Sequence, residues 1–256
     1  MPAFENIVWE HPAAGGKVSV YGAQPTPLHH QSTILGALGT ASKDGANPRK
    51  VAVLAPASTR ADEGFQQIKS ASYWSEEMMR QPVDGVLLTE YGSAACIPTG
   101  DCAVLALIHP RKVLAVHVGR AGLECFSGSS ACSANVVHHA YSFFSDVEWS
   151  ELTAFIVCAI PPERFRHDDE HGQRLVRPFL ETYRENAFLG DSSLGQLDMV
   201  KIIRYQCMGF GTPAEQVIWD GLDTFSNPNL ASHREQTAKG VPEKEYQRNM
   251  IIVHHQ

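Results

Sequence analysis

The stretch CAVLALIHPRKVLAVHVG, residues 102–119, decides the fold. Two runs rich in Val, Ile, Leu and Ala, 102–108 and 113–119, flank His109-Pro110-Arg111-Lys112, a turn with proline in its favoured early position. The spacing predicts an antiparallel hairpin. Pairing Ile108 with Val113 sets Cys102 opposite Gly119 and His117 opposite Val104. Side chains alternate faces along a strand, so Cys102, Val104 and Ala106 share a face with Ala115, His117 and Gly119. Leu105, Leu107, Leu114 and Val116 fill the other face. One face therefore reads as packed core, and the other as an open pocket where small residues surround a thiol and an imidazole. A slip of one residue in register would separate that pair.

Outward from the hairpin, helix and strand signals interleave. VDGVLLTE (83–90) reads as a strand, as do Val51–Leu54, Leu152–Ile160 (stopped by Pro161-Pro162), Gln216–Trp219 and Met250–Val253. Helices are expected at His29–Leu38, at Ser129–Phe144 capped by Ser127 or Ser129, at Gln173–Asn186 with Pro178 inside or starting it, and at Leu197–Met208 before Gly209. KDGANPRK (43–50) reads as a surface loop, and residues 65–79 show no clean period. The expected class is α/β, with a mixed α+β sheet that the short hairpin makes at least partly antiparallel, in one domain over residues 1–256.

Composition sets the outer limits. A chain of 256 residues, 43% hydrophobic and 19% charged, has the makeup of an ordinary globular domain. A net charge of −7 offers no general attraction to nucleic-acid backbones or anionic membranes. No apolar run reaches the roughly 18 residues of a membrane span, and no secretory signal is expected at the start. The six cysteines, at 96, 102, 125, 132, 158 and 207, form no CxxC pair and are read as thiols, ligands or nucleophiles in a cytoplasmic protein.

A cysteine and a histidine on one face can act in two ways. With further ligands they hold zinc and leave a coordination position for chemistry. Alternatively the imidazole activates the thiol as a nucleophile. The plain structural reading, a buried cysteine beside a satisfied core histidine, stands next to both.

TGDCAVLALIHPRKVLAVHVGRAGL (99–123) resembles the signature of the YfiH family, described as multicopper polyphenol oxidoreductases (laccases) and also understood as purine nucleoside phosphorylases. VDGVLLT (83–89), LDMVKIIRYQCMGFGTPAEQVIWDGLDTFSNP (197–228), SHRE (232–235) and QRNMIIV (247–253) resemble later segments of the family in the same order, so the likeness runs from about residue 83 onward. The resemblance implies a single-domain fold of that family and a zinc site of two histidines and one cysteine, with a nucleoside and phosphate bound nearby. Cys102 matches the cysteine ligand and His117 the second histidine. At the first histidine stands Ser58, within PAST (56–59). Arg120-Ala121 replaces the family's Trp-Arg, CAIPP (158–162) replaces its Gly-Pro segment, and His233 replaces a tyrosine. His29, His30 and His233 are candidates to complete a metal site.

Arg234, Arg248 and Arg204 match family arginines, and a guanidinium suits phosphate through paired hydrogen bonds. Asp101 is placed to orient His117 or a bound water. The implied activity is phosphorolysis of adenosine, inosine or guanosine; the alternative is a diverged, non-catalytic member that binds a small molecule or a protein partner. Phenol oxidation with copper ranks last, because one cysteine and one histidine are too few for a multicopper cluster. HDDEH (167–171) has the spacing of an inverted zinc-peptidase motif but reads as a charged, solvated loop. His138-His139 and His254-His255 have no partner at ligand spacing, and the GFG at 209–211 is not in phosphate-binding register.

Overall fold

The computed structural model describes residues 4–24, 31–54, 68–70, 83–124 and 135–256. Ser58, His29, His30, Ser127, Ser129, Cys125 and Cys132 lie outside these residues. Among the described residues the strands are β1 (Ile7–Ala13), β2 (Gly16–Gln24), β3 (Val51–Val53), β4 (Ile68–Ser70), β5 (Gly85–Leu88), β6 (Ser93–Thr99), β7 (Ala103–His109), β8 (Lys112–Val118), β9 (Thr153–Val157), β10 (Val217–Trp219) and β11 (Arg248–His255). The helices are α1 (Gln31–Lys43), α2 (Val136–Ser142), α3 (Glu170–Tyr183), α4 (Met199–Gly209) and α5 (His233–Ala238). The strands form two mixed sheets, in the orders β1-β2-β11-β6-β3 and β10-β9-β7-β8-β5-β4. No helix among the described residues is long and apolar enough to cross a membrane.

The layering follows from alternation along each strand. In β11, Ile251 and Val253 face the second sheet, while Met250 and Ile252 face Ala37 and Ala41 of α1. In β7 and β8, Leu105, Leu107, Leu114 and Val116 face away from the first sheet and pack on α2, α3 and α4 through Val137, Phe179 and Ile203. Helix, sheet, sheet and helices thus stack as four layers, each sheet burying both faces.

The hairpin forms in the expected register, with Ile108 paired to Val113 and Val104 to His117, around a tighter turn that also pairs His109 with Lys112. Its small-residue face is not open along its length. Val104, Ala106 and Ala115 are fully buried against the first sheet, and only the end carrying Cys102 and His117 reaches a cavity. Two sheets pack about 10 Å apart, and alanines at the contact suit so close an approach.

Helix boundaries move where side chains supply better caps. α2 starts after Asn135, whose side chain accepts from the His138 N–H. α3 begins at Glu170 because Asp169 accepts from the Gly172 N–H, and it carries Pro178 within it. Glu170 and His171 of the HDDEH stretch therefore open a helix and His167 is buried, while residues 168–171 are exposed, so the stretch is solvated as expected but is a loop only over 167–169. Asp198 caps α4 by accepting from the Lys201 N–H. β9 ends at Val157 because Cys158 turns to a φ of +59°, directing its N–H to the Asp220 carboxylate at 2.9 Å.

Candidate functional site

Cys102 lies at the bend just before β7, and His117 lies next to the end of β8. A Cβ built on Gly119 would stand 3.7 Å from Cys102 Sγ and 3.5 Å from His117 Cε1, so the two side chains converge on one point left open by a glycine. They line a cavity of about 490 Å³ together with Asp101, Phe165, His233, Arg234, Glu243 and Arg248. That volume is within the range of small-molecule sites.

The backbone of β8 holds His117 in place. Its N–H donates to Asp84 O at 2.7 Å, and its ring Nδ1 stands 3.9 Å from Asp84 Oδ1. Asp84 is thus the carboxylate facing the imidazole. Burial, and then the positive charge of Arg248, pushes His117 down to about 4, so the ring is neutral at pH 7. With a proton on Nδ1 facing Asp84, Nε2 keeps its lone pair for a ligand.

Burial pushes the Cys102 thiol up to about 12, with Asp101 and Asp84 adding to the shift while Arg248 and Arg120 oppose it. A thiol in that state is protonated at neutral pH and is a poor nucleophile.

Asp101 does not orient His117. Its Oδ1 accepts from Thr224 Oγ1 at 2.9 Å and its Oδ2 from the Arg234 N–H at 2.7 Å. It fastens the first turn of α5 to the loop that carries Cys102. Arg234 then lays its guanidinium 4.9 Å from the Phe165 ring and donates to Arg166 O at 3.1 Å. Arg248 opens β11, 5.6 Å from the Tyr246 ring. Its neighbour Asn249 donates to Gly100 O at 3.4 Å and Ala231 O at 2.9 Å, and accepts from the Ala231 N–H at 2.7 Å, tying three segments beneath the cavity.

The structure thus gathers Cys102, His117, Asp101, Arg234 and Arg248 around one cavity and leaves Arg204 out. Arg204 is exposed on α4 and lines a different cavity. Helical spacing assigns it to a face but cannot say which cavity that face borders. His233 lines the Cys102 cavity, its ring edge-on to Tyr246 at 5.0 Å. Phe165 and Glu243 are cavity residues with no motif to mark them in the sequence.

Among the described residues no group of three His, Cys, Asp or Glu side chains is placed to hold a metal. A catalytic zinc takes three protein ligands. Cys102 and His117 supply two, and the position of Ser58 lies outside the described residues. The described donors do not by themselves fit zinc.

These features define a class of α/β chain in which a central hairpin ends in a cysteine–histidine pair above an arginine-flanked cavity. The chain belongs to the multi-copper polyphenol oxidoreductase laccase family, whose family model matches residues 49–241. Its fold is similar to that of hypothetical protein YfiH of Bacillus licheniformis, at 14% identity and a TM-score of 0.70, over 94% of this chain and 92% of that one. It is also similar to YlmD of Geobacillus stearothermophilus (16%, TM-score 0.69, 95% and 93%) and to protein NMB0706 of Neisseria meningitidis (16%, TM-score 0.67, 98% and 100%). At these identities the likeness is one of fold, and the chain is a divergent member. No curated protein matches it.

Proposed function

We propose that this chain binds a purine nucleoside together with phosphate in the Cys102–His117 cavity and cleaves the glycosidic bond by phosphorolysis. The observation that carries the reading is the placement of Arg234 and Arg248 on the same cavity as the convergent cysteine and histidine. Both guanidiniums are half-buried, which strengthens their pull on an anion over that of surface arginines. In the reaction a phosphate oxygen bonds to the anomeric carbon as its bond to the purine nitrogen breaks. The purine leaves with the bonding pair and takes up one proton, balanced by the proton that hydrogen phosphate gives up as its oxygen becomes the ester oxygen. Arg234 and Arg248 hold and neutralise the phosphate, Phe165 offers an apolar wall, and neutral His117 accepts a hydrogen bond from the sugar.

The test incubates purified protein with adenosine, inosine or guanosine, with and without phosphate, and separates the free base chromatographically. Phosphate-dependent release that falls by about a hundredfold in Arg248→Ala supports the reading. Nucleoside binding without release supports the alternative of a non-catalytic binder. Neither release nor binding overturns both.

A further inference from the structure

The cavity that holds Arg204 is a site in its own right. It encloses about 630 Å³ beside α4 and β10. Of the eight large hydrophobic residues exposed among the described ones, four (Leu189, Tyr205, Met208 and Trp219) line it, with Tyr205 63% and Met208 47% exposed. Exposed apolar groups scattered singly need no explanation, but half of them gathered on one concavity do. Tyr205 and Met208 occupy the outward stripe of α4, where a solvated helix would carry polar residues. Tyr205 is also held in place, its ring edge-on to Tyr183 at 5.8 Å. Trp219 ends β10, the edge strand of its sheet, so no described strand covers that flank.

The charged groups of the cavity are two cations and two acids. Lys201 and Arg204 stand one turn apart on α4, and among the described residues neither lies within ion-pair distance of a carboxylate. Of the two acids lining the cavity, Asp198 accepts from the Lys201 N–H at 2.8 Å as the α4 cap and Glu163 is exposed, so neither forms an ion pair with Lys201 or Arg204 and both cations can turn to a ligand. Aromatic and thioether walls take a flat ring, and the cations take an acidic group attached to it.

We propose that this cavity binds a planar aromatic molecule carrying one acidic group, independently of the Cys102 site. The probe is 1-anilinonaphthalene-8-sulfonate, titrated against the folded full chain and followed by its fluorescence. One saturable site per chain is expected. Arg204→Glu and Met208→Glu each weaken it by about tenfold or more, and Arg248→Ala leaves it unchanged. Trp219→Ala and Tyr205→Ala serve as a second pair of variants, with circular dichroism checking that each folds. Binding indifferent to all four changes, or lost only in Arg248→Ala, overturns the proposal. So does sedimentation showing that two copies of the chain cover this face and that Met208→Glu separates them.

Discussion

Cys102 Sγ and His117 Cε1 both come within 3.7 Å of one point, the place a Cβ on Gly119 would occupy. A single Cβ there meets both groups at ordinary contact distance, so Gly119→Ala should fold with its melting temperature nearly unchanged. Gly119→Leu fills the point on which the two side chains converge. It should fold, as judged by circular dichroism, yet lose phosphate-dependent base release by about a hundredfold, the scale of a misplaced substrate.

Asp101 joins the Cys102 loop to α5 by accepting from Thr224 and from the Arg234 N–H. Removing a buried carboxylate that accepts two hydrogen bonds leaves both donors unpaired. Asp101→Ala should cost about 2–4 kcal/mol in urea unfolding, and Thr224→Val about 1 kcal/mol. A cost near zero for Asp101→Ala would mean that α5 is positioned by other contacts.

The hairpin is buried on both faces, which gives paired expectations of different origin. Leu105→Ala removes bulk beneath α2 and α4 and should cost about 2–5 kcal/mol. Ala106→Leu adds bulk between the sheets and should cost about 1–3 kcal/mol. Were the Ala106 face open to solvent, the second change would be close to neutral in chemical denaturation.

Stability should fall on acidification through the histidines. His254 is buried in β11, and desolvation, then Lys17, holds it down to about 4 despite Asp44 at 3.6 Å. His167 is likewise pushed to about 4, chiefly by burial. Unfolded histidines take up protons near pH 6.5 while these do not, so their contribution is whole above that pH and drains away as pH falls towards 4, at up to about 1.4 kcal/mol per pH unit for each. Asp220 acts in the opposite sense: burial raises it to about 7, so the folded chain binds its proton first and gains stability as pH falls below 7. His254→Gln isolates one term. Its unfolding free energy should depend on pH less steeply than the parent's by about one proton between pH 6.5 and 4.5. Equal slopes would show that His254 titrates normally in the fold.

What the sequence made legible was local. The hairpin, its register and the facing of residues 102 and 117 follow from strict alternation across a short turn, which long-range structure cannot easily overrule. β6, by contrast, is SAACIPT, small residues with a proline, and is a strand only because β11 and β3 bracket it. β1 is hidden for a related reason, since Glu10, His11 and Pro12 blur the pattern of an edge strand. At the site, Asp84 meets His117 across a strand pairing far apart in the chain, and nothing near Asp84 announces it. The resemblance marks Arg234 and Arg248, which line the cavity of Cys102 and His117. It could not exclude Arg204, because a helix periodicity carries no information about which loops stand opposite.

The proposed phosphorolysis needs one cavity to hold two ligands side by side. A crystal of the full chain grown with inosine and phosphate tests this most directly. Phosphate is expected between Arg234 and Arg248, and the nucleoside over Phe165 with its sugar towards His117. Phosphate or nucleoside bound elsewhere, with the Cys102–His117 cavity filled only by solvent, would contradict it.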